Sequence, residues 1–418
     1  MAGTPDPALV AAPWRRADAS QRLLDALEAG GRPARFVGGC VRDSLKGRER
    51  AAWDVDLCTP EPPERVLELL EHAGVKAIPT GLDHGTVTAV LDGQAFEITT
   101  LRRDVETDGR HAVVAFTADF RADAARRDFT INAMSCDRAG RLFDYFDGRA
   151  DLAAGVLRFV GEPGRRIAED YLRVLRFFRF YARFGTRPPD AATAGALRAG
   201  VAGLERLSGE RVAVELVKLL DAPDPRAAIA WMDELGVLDW TLGGAADRTL
   251  FDRLVAIEPA VDPWRRLAAL VRGGDEASAR ALAGRLRLSK VDAARLERLA
   301  GVAAERLDRA DAAALARTLY REGRAGALAA GLFALARDGT DGDAAAQLEA
   351  RIAAAPVPTF PLKGADVVAA GVAPGAAVGR VLKRAEAEWL GSGCAADRAA
   401  LKARLPALVA AELGDGEP

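Results

Sequence analysis

Short apolar runs broken by polar residues crowd the first 150 positions: ARFVGG, WDVDLC, VKAIPTG, GTVTAVLDG, QAFEITTLR and RLFDYFDG. Alternation of this kind predicts strands, and the segment PPERVLELLEHAG after WDVDLC predicts a helix between two of them. Short strands with helices between them make an α/β domain. From about residue 165 the pattern turns to helix after helix, rich in Ala, Leu and Arg, with loops at DAPDPRAA, EPAVDPW and AAAPVPTFPLKG. The proline-rich PVPTFPLKG sets off a last small unit built of ADVVAAG, a GVAPG turn and the helix AAVGRVLKRAEAEWLGSG. No repeat of fixed period is evident, and the Ala-rich stretches between positions 310 and 350 read as ordinary helix formers.

Charged residues set inside these patterns mark the chemistry. In WDVDL, Trp53, Val55 and Leu57 predict a strand whose other face carries Asp54 and Asp56. Two carboxylates that close repel unless a cation lies between them, and the pair suits Mg²⁺, a hard ion that takes oxygen ligands and keeps waters or phosphate oxygens as the rest. Upstream, FVGG is a strand end running into a turn, and VRDSLKG continues as a helix. Gly38 and Gly39 leave room for a phosphate at the backbone NH groups of that helix start. Either half alone also fits a plain turn or a solvated surface pair. In this order and adjacency they point to nucleotidyl transfer. Glu97, between Phe96 and Ile98 on a predicted strand, is a third carboxylate that could complete the site or simply face solvent.

Two clusters follow downstream. In ARRDFTINAM, Arg126 and Arg127 can neutralise phosphate oxygens, while Asp128 and Asn132, four apart, are expected on one helix face, holding a ribose hydroxyl or the arginines themselves. IAEDYLRVLRFFRFYARFG predicts a single helix bearing Glu169, Asp170, Arg173, Arg176 and Arg179. Asp170 and Arg173, three apart, present an acceptor beside forked donors. That edge complements cytosine and adenine, whose amino groups donate beside ring acceptors, and mismatches guanine and uracil by about 1–3 kcal/mol per bidentate pair. Arg176 and Arg179 extend the positive arc towards a triphosphate or RNA phosphates. The alternative is a salt bridge on an amphipathic helix.

Composition narrows the class. With 418 residues, 50% of them hydrophobic, the chain can bury a large core in roughly two to four domains. A formal net charge of −2 excludes a globally basic nucleic-acid coat protein, so any RNA must meet a local basic face. The 4 cysteines are scattered, with no CxxC and no His at ligand spacing, which indicates neither zinc nor a disulfide framework and fits a reducing cytoplasm. Nothing approaches about 18 uninterrupted apolar residues, so no membrane span is expected. His84 in GLDHGTVTAV reads as a turn residue rather than a catalyst.

FVGGCVRD with WDVDL, FEITTLRRD, DGRH, RRDFTINAM, DYFDGRADL, EDYLRVLRFFRF and SGERVAVELVKLL, in this order between about residues 34 and 222, closely resemble the class II tRNA nucleotidyltransferases, the CCA-adding enzymes and bacterial poly(A) polymerases of the DNA polymerase β superfamily. The resemblance implies an α/β nucleotidyltransferase head with a polymerase β-like mixed sheet at 20–150, then an all-α remainder: a neck at 151–222, a body at 223–350 and a tRNA-binding tail at 351–418. It implies Mg²⁺ on Asp54 and Asp56, phosphate contacts from Gly39 and Arg42, and ribose and triphosphate contacts from Arg127. Asp170 and Arg173 become the amino-acid template for the base, with Arg176 and Arg179 beside them.

RRDVETDGRHAVVAF is similar to the loop with which the family switches from C to A addition. The expected reaction is addition of C, C and A to the 3′ end of tRNA from CTP and ATP, by in-line attack of the 3′-hydroxyl with metal assistance and release of pyrophosphate. Poly(A) synthesis and a CC- or A-adding half of a split system are the alternatives. The segment AIPTGLDHGTV lacks a basic, GRRF-like stretch, which favours CCA addition over poly(A) synthesis. With three histidines and no HD pair after residue 200, no phosphohydrolase domain is expected. An idle RNA-binding relative would have lost a metal carboxylate, and a repair polymerase would need a template module. No protein partner is implied.

Overall fold

Among the described residues nine strands lie before residue 150: β1 (Arg35–Val37), β2 (Val55–Thr59), β3 (Lys76–Gly81), β4 (Thr86–Leu91), β5 (Gln94–Thr100), β6 (Arg102–Thr107), β7 (Ala112–Phe116), β8 (Ser135–Cys136) and β9 (Leu142–Phe143). Seven of them form one mixed sheet in the order β3-β4-β5-β2-β1-β8-β9, and β6 pairs with β7 as a separate ribbon. This computed structural model describes residues 4–48, 53–107, 112–271 and 276–414, in two compact units, Met1–Thr241 and Leu242–Pro418.

The sheet follows the period-two pattern. On β4, Val87, Ala89 and Leu91 are buried and the residues between them are not; on β5, Phe96 and Ile98 are buried beside outward Ala95 and Glu97. All pairings in the large sheet are antiparallel except that of β2 with β5. Parallel neighbours need a crossover, which the helix Pro63–His72 and the β3–β4 hairpin supply. The consequence is that Asp56 stands in register between Val37 on β1 and Glu97 on β5.

After β1 the chain turns at Gly38, whose φ of +73° favours a residue without a Cβ, and enters the helix Gly39–Leu45. The expected long helix at 167–185 is two helices, Pro163–Glu169 and Leu172–Phe184. The second buries Leu172, Val174, Leu175, Phe177, Phe178, Tyr181 and Phe184, which leaves Arg173, Arg176 and Arg179 together on its other side. Phe177 lies 6.0 Å from Phe129 and 5.8 Å from Phe159 between ring centroids, joining this helix to the end of the α/β layer. Cys40, Cys58 and Cys136 are buried; Cys394 is only partly so, and all four are free.

The second unit is helical throughout its described residues. Glu258 is buried with Arg265, at 2.6 Å, and Arg266. The long helix Ala312–Asp338 is interrupted at Gly323, which takes φ +67°. The last helices, Gly364–Ala369, Ala376–Gly391 and Arg398–Gly414, enclose Val367, Val381, Trp389, Leu401 and Leu405. Among the described residues no helix is long and apolar enough to cross a membrane.

Candidate active site

The metal-binding candidates stand at the start of β2. Asp54 comes one residue before the strand and is exposed, whereas Asp56 lies inside it, half-buried. The expected strand therefore begins later than the pattern implied, yet both carboxylates line one cavity of about 750 Å³ together with Gly39 and Arg42. The Asp56 carboxyl is pushed up to about 6, first by burial and then by Glu97, with Asp54 adding and Arg127 opposing. Negative charge is in surplus on this face, and the donors are hard oxygens, so the residues fit a divalent cation. Among the described residues no three carboxylates, histidines or cysteines converge as a metal-binding group. Glu97 is thus the charge neighbour of Asp56 rather than a third corner of a closed cluster.

Across Gly38 the charge reverses. A Cβ on Gly38 would lie 3.8 Å from Arg127 Nη1 and 3.9 Å from Asp56 Oδ2, so the missing side chain is the gap between cation and anion. Arg127 donates to Asp123 Oδ2 at 3.2 Å and Arg126 to Asp123 Oδ1 at 2.8 Å. Arg42 is buried: its Nε donates to Asp43 at 2.8 Å, its Nη1 to Asn132 Oδ1 at 2.5 Å, and its guanidinium lies 4.4 Å from the Phe184 ring centroid. Asn132 donates in turn to Asp128 Oδ1 at 3.0 Å, and Asp128 Oδ2 accepts from Arg176 at 2.9 and 2.5 Å. Burial alone would raise the Asp128 carboxyl, but Arg176 and the bond from Asn132 hold it below the ordinary carboxylate range.

Asp128 and Asn132 do meet as expected, but not on one helix. The helix there ends at Ala125, Asp128 Oδ1 accepts from the Phe129 NH, Phe129 bridges to Phe159, and Asn132 closes a short 3₁₀ turn. Asp170 departs from expectation in the same way. It sits between two helices with φ −156°, because its Oδ1 accepts from Leu172 NH at 3.1 Å, a side-chain bond that replaces a helical one. Its Oδ2 accepts from Arg211 at 2.8 Å. Arg173 donates instead to Glu169 Oε2 at 2.5 Å and to the Arg166 carbonyl at 2.6 Å. Asp170, Arg173 and Arg176 nevertheless line one cavity of about 430 Å³ with Gly38, Arg127 and Asp128.

Gly39, Arg42 and Phe180 border both cavities. Arg179, 3.1 Å from Glu215, lines the larger one, with Arg48, Arg183 and Lys218. Sequence reasoning passed over Arg211 and Glu215, although two charges four apart in the apolar run RVAVELVKLL are the visible signal of a helix face aimed at a polar site. It also passed over Asp123, whose only signal is its spacing from Arg126 and Arg127. The ribbon of β6 and β7 is present, rooted by Arg102 on the His84 carbonyl and by Thr117 NH on the Leu101 carbonyl at 2.9 Å. Its DGRH tip, 108–111, lies outside the described residues.

Comparison with known proteins agrees with this layout. Residues 34–158 match the family described as the poly A polymerase head domain, and residues 189–246 the probable RNA and SrmB-binding site of polymerase A. Mouse CCA tRNA nucleotidyltransferase 1, mitochondrial, is 48% identical over 206 residues, 49% of this chain and 47% of that protein. The CCA-adding enzyme of Lactiplantibacillus plantarum is 33% identical over 271 residues, 63% of this chain and 65% of that one. The Bacillus stearothermophilus CCA-adding enzyme in complex with CTP aligns over 98% of this chain and 100% of its own, with TM-score 0.77 and 26% identity. The Thermotoga maritima CCA-adding enzyme complexed with tRNA shares the fold at TM-score 0.66 and 22% identity.

The sheet and the carboxylates at the start of its central strand β2 define a nucleotidyltransferase head followed by a mostly helical remainder. The head matches the poly A polymerase head-domain family, and the chain resembles the CCA-adding enzymes. It spans about half the length of the curated vertebrate relatives that it matches. Nucleotidyltransferases of this family work with a divalent metal ion.

Proposed function

We propose that the protein adds C, C and A to the 3′ end of tRNA from CTP and ATP, without a nucleic-acid template, releasing pyrophosphate at each step. The observation that carries this reading is the 430 Å³ cavity in which Asp170 and Arg173 share a wall with Arg127 and Asp128. It joins a base-reading edge to a phosphate-binding one at the size of a nucleotide. The Bacillus relative, solved with CTP, and the Thermotoga relative, solved with tRNA, support the same substrates.

In this reading Asp170 accepts from the amino group of C or A while Arg173 donates to the ring acceptors. Arg127 binds ribose and triphosphate, Asp128 and Asn132 hold the ribose and orient Arg42 and Arg176, and Gly38 and Gly39 let the phosphates approach the backbone. Asp54 and Asp56 would hold Mg²⁺, which when bound favours ionisation of the 3′-hydroxyl and neutralises the departing pyrophosphate. Arg179, with Arg48, Arg183 and Lys218 around the larger cavity, attracts the terminal phosphates of the tRNA and so brings its 3′ end to the aspartates. No covalent enzyme intermediate is required. The head, neck, body and tail at 20–150, 151–222, 223–350 and 351–418 then divide the work between chemistry, base reading and tRNA holding. Four free cysteines fit a reducing compartment such as the cytoplasm.

The test offers a tRNA transcript lacking its 3′ end with CTP alone, ATP alone and both, followed by sequencing of the products. Products that end at CCA are expected. A long A tail would replace the reading with poly(A) synthesis, and arrest at CC would replace it with a split system.

A further inference from the structure

Asp170 and Arg173 are opposite charges three residues apart, the spacing at which such residues ordinarily neutralise each other. Had they done so, the acceptor would be spent on the donor and no edge would face a nucleobase. Among the described residues they form no ion pair with each other. Asp170 is drawn to Arg211, 41 positions onward on the helix Gly209–Leu220, with Oδ2 to Nη2 at 2.8 Å. Arg173 is drawn the other way, to Glu169 Oε2 at 2.5 Å, and Glu169 is itself fixed by Arg166 at 2.5 Å. Each pull comes from outside the helix that carries Arg173. The break after Glu169 is what lets Asp170 lean towards the Gly209–Leu220 helix rather than along its own.

We propose that Arg211 and Glu169 are positioning residues that hold Asp170 and Arg173 apart, so that the specificity of the proposed reaction depends on them although neither reads the base. Each oxygen of Asp170 already accepts one bond, from Leu172 NH or from Arg211, and keeps a further lone-pair direction for an amino group in the cavity. Arg211 fixes which way those lone pairs aim. Without it, the carboxylate turns to Arg173 and the edge that distinguishes amino from carbonyl groups closes. The inference rests on Asp170 and Arg173 reading the base.

The experiment measures incorporation of each of the four nucleotides onto tRNA ending before its CCA, for wild type, Arg211→Met, Arg211→Lys and Asp170→Ala, with a thermal melt of each. Arg211 is about one-third exposed in its side chain, so the substitutions leave the melt near that of wild type. Arg211→Met is expected to lose preference for CTP over UTP and for ATP over GTP by about tenfold, with higher KM for the correct nucleotides. Arg211→Lys should restore most of it. A merely structural role would lower all four rates together and leave the ratios alone; that result overturns the proposal. If Arg211→Met does not fold, Glu169→Gln, which frees Arg173, must lose the same preference or the proposal falls. Loss of preference in Asp170→Ala but not in Arg211→Met refutes this inference while sparing the base-reading assignment. A wild-type protein without preference for CTP and ATP refutes both.

Discussion

Asp56 and Asp128 are the same residue type in the same unit, yet they are in opposite electrostatic states. Asp128 is buried against Arg176 and Asn132 and held below the ordinary carboxylate range, so its charge is already answered. Asp56 faces Glu97 and Asp54, with Arg127 as the opposing charge, and is pushed up to about 6. One carboxylate braces the arginines; the other is left in want of a cation. A count of acidic residues cannot separate these tasks, but the sign of the shift does.

The comparison breaks most sharply at catalysis. Asp54→Ala should lower nucleotide incorporation by roughly three orders of magnitude while tRNA binding, read by filter retention, stays close to wild type. Substantial incorporation with Mg²⁺ would remove Asp54 from the metal site. Next comes Asp128→Ala, which leaves the Arg176 guanidinium with Glu215 alone, at 3.7 Å, and should cost about 3 kcal/mol in denaturant unfolding.

Asp56→Asn should act in the opposite direction, stabilising the metal-free protein at pH 7 by at most about 3 kcal/mol while ending incorporation. The pH dependence carries the same contrast. A raised carboxyl binds its proton more tightly in the folded state, so Asp56 lets metal-free stability fall as pH rises from about 4 to about 6, and Asp56→Asn removes that fall. Asp128, with a lowered value, supplies stability above about pH 4 that is lost as pH drops below it. Melts from pH 3 to 8 with a chelator would show both slopes. The smallest effect belongs to the last two helices, where Glu412 holds Arg380 and Arg384 at 2.6 and 3.0 Å with both arginines well exposed. Arg380→Ala should change stability by less than about 1 kcal/mol.

What could be read from the sequence was local. Asp56 and Glu97 were legible as strand residues because alternation fixes side-chain direction within a few residues, whereas Asp54 stands one residue before its strand. Gly38 and Gly39 were legible because a strand end, a glycine pair and a helix follow one another directly. The break at Asp170 was not, since it depends on a bond to Leu172 NH and on Arg211 far along the chain. Arg42 could be assigned a phosphate from the motif, but not its enclosure by Asn132 and Phe184, which lie 90 and 142 positions away in sequence. Asp128 and Asn132 were expected side by side on one helix face; they do lie together, bonded to each other on a different backbone, because a four-residue spacing also closes across a bridge and a 3₁₀ turn.

The buried thiols have a practical consequence. Burial pushes Cys40 and Cys58 up to about 12 and raises Cys136 well above its usual value, so these three resist maleimides at neutral pH. Cys394 alone is partly exposed. Burial raises the Cys394 thiol as well, so the unaltered chain offers one handle for a fluorophore in its second unit, to be labelled in mildly alkaline buffer without first engineering a cysteine-free background.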